Sequence, residues 1–311
     1  MQLSIIIPCF NEEGNIKILQ KTIKETLKKI KYEIIFINDG STDETEKILD
    51  KIYKKNNNIK IIHFSRNFGK DAAIYAGLKN AEGEYITIID ADMQQHPKYI
   101  LEMFKFLNNN KNYDQVAMKI KKRKKGILHK IGGNLFYKII NKLSDIHFEK
   151  NASDFRMFRS YVKKAILNLP EKNRFSKGIF NWIGFKTKYL EYDVQKRLTG
   201  KSKFNLKKSI KYAIEGILCY TTKPLKIAMI IGIICSIISI IILIYTTIKI
   251  ITTNIISKFL IIICLILLIG GIQLICIGIL GEYLSKAYIE VKNRPIYVSR
   301  KEQGIKEEKK C

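Results

Sequence analysis

The sequence predicts an α/β domain on a doubly wound, mostly parallel sheet, followed by juxtamembrane amphipathic helices and a two-helix transmembrane hairpin. Three observations predict it. Short apolar runs rich in β-branched residues alternate with helical stretches of a dozen or more residues, the pattern of repeated βαβ units. Polar residues cluster after each run, as in a sheet whose strand ends form one functional edge. Two late segments, 227–245 and 259–281, contain no charged residue, and at about 1.5 Å per residue each is long enough for a hydrocarbon core of ~30 Å.

The first strand is Leu3-Ser4-Ile5-Ile6-Ile7. Pro8 is expected to stop it, having no N–H for a ladder, and Asn11 to start the helix that follows. The second strand, Glu33 to Ile37, runs into Asn38-Asp39-Gly40-Ser41-Thr42-Asp43. There Gly40 permits a tight turn, and Ser41 or Asp43 can cap the next helix. The third, Ile59 to Phe64, ends at Ser65-Arg66-Asn67-Phe68-Gly69-Lys70. The fourth, Ile86 to Ile89, ends in Asp90-Ala91-Asp92-Met93-Gln94. Alternation along an extended chain sends Asp90 and Asp92 to the same side. Two carboxylates and the amide oxygen of Gln94 suit a hard divalent cation, Mg²⁺ or Mn²⁺, holding a substrate diphosphate. A lone D-x-D is more often a solvated turn; the three polar loops ahead of this one favour a site.

These loops, taken with Ser153-Asp154-Phe155-Arg156 and the late run from Gly281-Glu282-Tyr283-Leu284 to Val291-Lys292-Asn293-Arg294-Pro295, carry a resemblance. In this order, over roughly residues 3–298, the chain resembles the family-2 glycosyltransferases of GT-A fold. It is most similar to their polyprenyl-phosphate branch, which includes bactoprenol glucosyltransferases and dolichol-phosphate mannosyltransferases. The resemblance implies that Pro8, Glu12 and Asp39 line the donor pocket and that Asp92 and Gln94 hold the metal with Asp90 close by. It also implies that Asp154 is the catalytic base and that Arg156 guides the acceptor phosphate; a structural ion pair between these two competes with that assignment. Arg197, Lys201 and Lys203 resemble the family's basic phosphate-binding segment, with a lysine patch for lipid headgroups as the alternative. Three departures stand out. Asn38 replaces the family's usual acid, which points to retuned base contacts. Gln95-His96 replaces an acid after the metal site. Lys119 stands near where relatives carry arginine, and lysine lacks the bidentate fork.

The implied reaction is an inverting transfer by direct displacement, without a covalent glycosyl-enzyme. The donor is a nucleotide-diphosphate sugar (UDP-linked in the bacterial branch) and the acceptor polyprenyl (undecaprenyl) phosphate on the cytoplasmic face, supplying a lipid-linked sugar for cell-envelope glycan modification. Two alternatives stay open: a polysaccharide or protein acceptor, and a catalytically silent subunit of a lipid-sugar export system.

Domain boundaries follow. Residues 1–200 form the cytosolic catalytic domain, 201–224 a juxtamembrane amphipathic helix, 225–284 the two membrane helices and 285–311 a cytosolic tail. The loop between the apolar segments carries only Lys249 and Lys258, whereas both outer flanks are rich in Lys and Arg. By the positive-inside rule both termini lie in the cytoplasm of a multi-pass cell-membrane protein. Residues 2–8 are too short for a signal peptide. In a chain of 311 residues, 47% hydrophobic with net charge +27, such an excess first suggests nucleic acid. No nucleic-acid-binding motif accompanies it, Lys, Ile and Asn are abundant together, and an anionic membrane face accounts for the charge. Stretches 204–218 and 127–143 are amphipathic. The six cysteines form no C-x-x-C pair and the four histidines show no metal-ligand spacing. The tail after Arg300 mixes Lys and Glu and is expected to be disordered. Self-association into a homo-oligomer is left open.

Overall fold

The computed structural model describes residues 1–121, 141–142, 148–172, 174–195, 225, 230–231, 233–234, 237–238, 240–241, 244, 248 and 258–305. Eight strands form one mixed sheet: β1 (Leu3–Cys9), β2 (Tyr32–Asn38), β3 (Ile59–Phe64), β4 (Tyr85–Ile88), β5 (Gln115–Ile120), β6 (Ala152–Arg159), β7 (Thr187–Tyr192) and β8 (Ser299–Gln303). Their spatial order is β7-β5-β6-β4-β1-β2-β3-β8. The four expected strands pair in parallel at the centre.

Helices cover both faces, so the central strands are buried on both sides and apolar at most positions. Leu3, Ile5 and Ile7 of β1 pack with α1 (Ile16–Thr26), α2 (Thr45–Tyr53) and α4 (Lys98–Asn109) through Leu19, Leu49 and Met103. On the other face Ile6, Ile35 and Ile88 pack with α3 (Lys70–Asn80), α5 (Ser160–Leu167) and α6 (Ser176–Trp182) through Ala73, Val162 and Phe180.

Pro8 does not end the first strand, which continues to Cys9 with Pro8 opposite Ile37. The reason is the direction of its nitrogen. The Cys9 carbonyl accepts from Asp39 N–H on the β2 side, so the Pro8 nitrogen faces β4. The ladder with β4 has already finished at Ile6–Ile88, and a missing N–H there breaks no bond.

Two further features depart from a plain parallel reading. β6 runs antiparallel between β4 and β5, and β8 closes the far edge antiparallel to β3. The second corrects the expectation of a disordered tail, because Arg300 to Gln303 are ordered strand. Arg300 pairs with Glu46 and Lys301 with Asp50 at 2.8 Å, so charges that look solvated in sequence find acids on α2. Just before β8, Tyr297 stacks on Phe64 with ring centroids 4.8 Å apart.

Among the described residues one helix is long and apolar enough to cross a membrane, the stretch Leu268–Val291 of α7 (Lys258–Val291). Its side chains, Leu274, Ile275 and Leu284 among them, are exposed. Of the other expected span, 227–245, only scattered helical positions are described, and their isoleucines are also exposed. The amphipathic stretches 204–218 and, but for residues 141–142, 127–143 lie outside the described residues. At its end α7 returns to the sheet domain, where both Glu290 carboxylate oxygens accept from Lys172 N–H at 2.9 Å.

Candidate active site

The loops after β1, β2 and β3 are tied to one another by side chains bonded to backbone. Asn11, in the left-handed region at φ 55°, donates its N–H to Ser41 Oγ at 3.0 Å and accepts Thr42 N–H on Oδ1 at 2.9 Å. Glu12 donates its N–H to Thr45 Oγ1 at 2.9 Å, and its carboxylate accepts from Asn15 Nδ2 at 2.7 Å. Asp39 is buried, and its oxygens accept the N–H groups of Phe68 at 2.7 Å and Gly69 at 3.0 Å. Burial raises the Asp39 carboxyl above its ordinary range, against the lowering effect of those N–H groups and of Arg66. Gly40 is required in this clamp: at φ +64° its missing Cβ would lie 2.4 Å from the Arg66 carbonyl carbon. Pro8, Glu12 and Asp39 therefore gather at one end of β1 and β2, with Asp39 holding the β3–α3 loop.

Asn38 has a different role from the expected one. Its Nδ2 bonds His63 Nδ1 at 3.0 Å, and its Oδ1 accepts Ser41 N–H at 3.1 Å. An amide nitrogen only donates, so His63 carries its proton on Nε2 and gives it to Asp50 Oδ1 at 3.2 Å. Burial lowers the His63 pKa against the pull of Glu46 and Asp50. The amide thus lets a neutral buried imidazole join β2, β3 and α2.

β4 ends at Ile88, so strand alternation no longer governs the two carboxylates beyond it. Met93 at φ 60° turns the loop. Asp92 is only 8% exposed and accepts Gln94 N–H on Oδ1 at 3.1 Å. Asp90 is held from two sides. Gln95 donates Nε2 to its Oδ2 at 2.9 Å and accepts its N–H at 3.0 Å, while Lys70 Nζ lies 2.5 Å from Oδ1. The departure Gln95-His96 is therefore constructive: Gln95 brackets Asp90, and His96 Nδ1 accepts Lys98 N–H at 3.0 Å at the start of α4.

The antiparallel insertion of β6 brings in the second half. Ile88 is registered with Arg156 at the end of that ladder, and Asp90 and Asp154 lie just beyond it. Lys70 Nζ completes the contact, 3.1 Å from Asp154 Oδ2. The other oxygen, Asp154 Oδ1, is buried and has no hydrogen-bond partner among the described residues. Burial alone would raise the Asp154 carboxyl, but the charges of Lys70, Lys177 and Arg156 hold it well below the usual carboxylate range. Partial desolvation opposes the charge of Lys70, whose side chain is 40% exposed, yet Asp90 and Asp154 hold its pKa above the ordinary lysine value. Arg156 is buried, with its guanidinium 4.0 Å from the Phe180 ring centre and Nη2 donating to Ser153 O at 3.3 Å. Lys119 pairs with Glu149 at 2.6 Å.

Sequence reasoning gave no role to Lys70. Its position directly after Gly69, at the first turn of a helix facing two Asp-bearing strand ends, was the available sign. Arg197, Lys201 and Lys203 lie outside the described residues. Just before them the chain is held on the loop after β4, Gln195 N–H donating to Gln94 O at 3.1 Å. Among the described residues no three His, Cys, Asp or Glu side chains gather as a ready-made cage. Asp92, Asp90 and the Gln94 amide are nevertheless an all-oxygen set. Such a set fits a hard cation that takes its remaining ligands from phosphate and water.

The sequence family model described as glycosyl transferase family 2 matches residues 4–167. The bactoprenol glucosyl transferase of Shigella phage SfII is 39% identical over 308 residues, covering 97% of this chain and 98% of that protein. A prophage bactoprenol glucosyl transferase homolog of Escherichia coli is 38% identical, covering 97% and 99%. Among solved structures, glucosyl-3-phosphoglycerate synthase from Mycobacterium tuberculosis, in complex with Mn²⁺, UDP and glucosyl-3-phosphoglycerate, superposes with a TM-score of 0.52. It is 16% identical and covers 70% of this chain and 77% of its own, a likeness of fold that agrees with the GT-A architecture. With the family model and full-length relatives in agreement, the chain belongs to glycosyl transferase family 2.

Proposed function

We propose that the protein is an inverting membrane glycosyltransferase that moves a sugar from a nucleotide-diphosphate donor, UDP-linked, to polyprenyl phosphate on the cytoplasmic face of the cell membrane. The observation that carries this reading is the meeting of Asp90 and Asp154 on Lys70 beside Asp92. A donor-side and an acceptor-side carboxylate thereby share one sheet edge. The bactoprenol glucosyl transferases similar over nearly the whole chain support the acceptor class.

Asp92 and Gln94, with Asp90 beside them, would hold Mg²⁺ or Mn²⁺, which offsets the charge developing on a leaving diphosphate. Pro8, Glu12 and Asp39 frame the nucleotide end of the pocket. As the bond from the anomeric carbon to the diphosphate breaks, a phosphate oxygen of the lipid bonds to that carbon from the opposite side, inverting it. That oxygen is already anionic near neutral pH, so positioning contributes more than deprotonation. Asp154 and Arg156 sit on the acceptor side, and Arg197, Lys201 and Lys203 supply phosphate-binding charge from the segment that follows Gln195. Incubating membranes that contain the protein with labelled nucleotide sugars and undecaprenyl phosphate tests the reading. A sugar-phosphate lipid is the expected product; label reaching only polysaccharide or protein would overturn it.

A hairpin is supported by how α7 ends. Glu290 and β8 tie its C-terminal end to the catalytic domain. If α7 crosses the bilayer, the chain must cross an odd number of further times between residues 196 and 257. The apolar segment 227–245 is the candidate for that crossing. A membrane-impermeant thiol reagent on intact cells should label an Asn254→Cys variant and leave native Cys311 unlabelled. The reverse pattern would put the active site on the wrong face.

A further inference from the structure

Three carboxylates that enter the reading for separate reasons converge on one short segment. Asp39 holds the N–H groups of Phe68 and Gly69, and the next residue, Lys70, holds Asp90 and Asp154. Gly69 makes the turn between them at φ 96°, where its missing Cβ would meet nothing within 4 Å. Glycine is therefore required by backbone conformation and not by space. The place of the Lys70 ammonium is thus set from the nucleotide end and passed to the acceptor end.

Resting on the function proposed above, we propose that Lys70 is the positioning residue that couples the donor and acceptor halves of the site. It fixes Asp154 through Oδ2 and leaves Oδ1 turned to the substrate. A buried acceptor without a partner among the described residues calls for one, and a sugar hydroxyl or a protonated acceptor phosphate supplies the missing donor. The ammonium also offsets the Asp154 charge, which would otherwise repel an arriving phosphate. Asp90 is held by the same ammonium, so the loop bearing the metal ligands and the strand bearing Asp154 share one reference point.

The full-length protein tests this with Lys70→Met, Lys70→Arg, Asp154→Asn and the Met/Asn double variant. Each is assayed for Mn²⁺ binding in the presence of UDP by electron paramagnetic resonance, and for kcat and KM with a short-chain prenyl phosphate. Lys70→Met should lower kcat at least ~10-fold, the scale of a lost orienting group. It should bind Mn²⁺ within a few-fold of wild type or more tightly, because the ammonium competes for Asp90. Lys70→Arg should recover part of the loss. The double variant should be no worse than the poorer single one, since Asp154 acts through a position that Lys70 sets. Losses that multiply, or Mn²⁺ binding lost together with transfer, would overturn the proposal. Should Lys70→Met fail to fold, Lys70→Gln is read by the same criteria. A wild-type protein that binds Mn²⁺ and UDP yet transfers to no prenyl phosphate overturns the proposed function, and the role of Lys70 falls with it. Wild-type transfer with independent losses overturns Lys70 alone.

Discussion

The two sides of the sheet position their functional groups by different physics. Around β1, β2 and β3 the loops are held by side chains bonded to backbone, as in Asn11 with Ser41 and Thr42, and Asp39 with Phe68 and Gly69. These bonds are short-ranged and keep the loops in one shape whatever the charge state of a ligand. Around β6 the groups are held by charge: Lys70 between Asp90 and Asp154, and Arg156 against the Phe180 ring. Lys70 is 40% exposed, but Asp154 and Arg156 lie deeper and answer to the removal of a charged partner. The loops around β1, β2 and β3 should therefore tolerate changes in charge better than changes in shape, and the Lys70–Asp90–Asp154 network the reverse.

The largest effect is expected from Asp92→Ala, a residue of the loop after β4 that stands apart from both sets. It should leave the protein folded and membrane-bound yet remove at least ~3 kcal/mol of transition-state stabilisation, more than a hundredfold in rate. Chelation by EDTA should mimic it, with Mn²⁺ or Mg²⁺ restoring the wild type; full activity of the variant in chelator would take the metal out of the scheme. Next in size, Asp154→Asn should lower kcat roughly 10²-fold while donor affinity, read by calorimetry, stays within a few-fold. Donor affinity lost at an unchanged turnover rate would instead move Asp154 to the nucleotide side. Arg197→Ala should weaken use of the lipid phosphate by about 1.5–3 kcal/mol, the scale of one charge-assisted contact. An equal loss in donor binding would erase the division into two sides.

The smallest effect concerns the far edge, where Asn38, His63, Asp50 and Lys301 form one polar chain from β2 to β8. Because the folded His63 pKa lies below its ordinary value, the unfolded chain binds the extra proton first as pH falls. Stability is thus unaffected well above about pH 6.5. Below that it declines, by at most ~1.4 kcal/mol per pH unit for one proton, until the folded pKa is reached. Thermal unfolding between pH 7.5 and 5 should show the decline in wild type and a shallower one in His63→Gln. Parallel curves would remove His63 as the cause.

Much of the donor side is legible in the residues. The strands before Pro8, Asn38, Ser65 and Asp90 announce themselves by β-branched apolar runs, and the polar clusters after them by residue type. What misled were features whose meaning depends on a neighbour. Pro8 looks like a stop until the early end of the β4 ladder is known. Arg300 to Gln303 look solvated until Glu46 and Asp50 are seen facing them. Gln95 looks like a lost acid until it brackets Asp90.

By itself the sequence determines the alternating α/β architecture, the residue types of each strand-end loop and an apolar stretch within α7. These are local properties of hydrophobic period, turn residues and charge. Only the tertiary structure decides that β6 enters antiparallel beside β4, that β8 closes the sheet and that Lys70 joins Asp90 to Asp154. Strand order and register arise from contacts between distant segments, and no local pattern in Ser153-Asp154-Phe155-Arg156 records which strand will lie beside it.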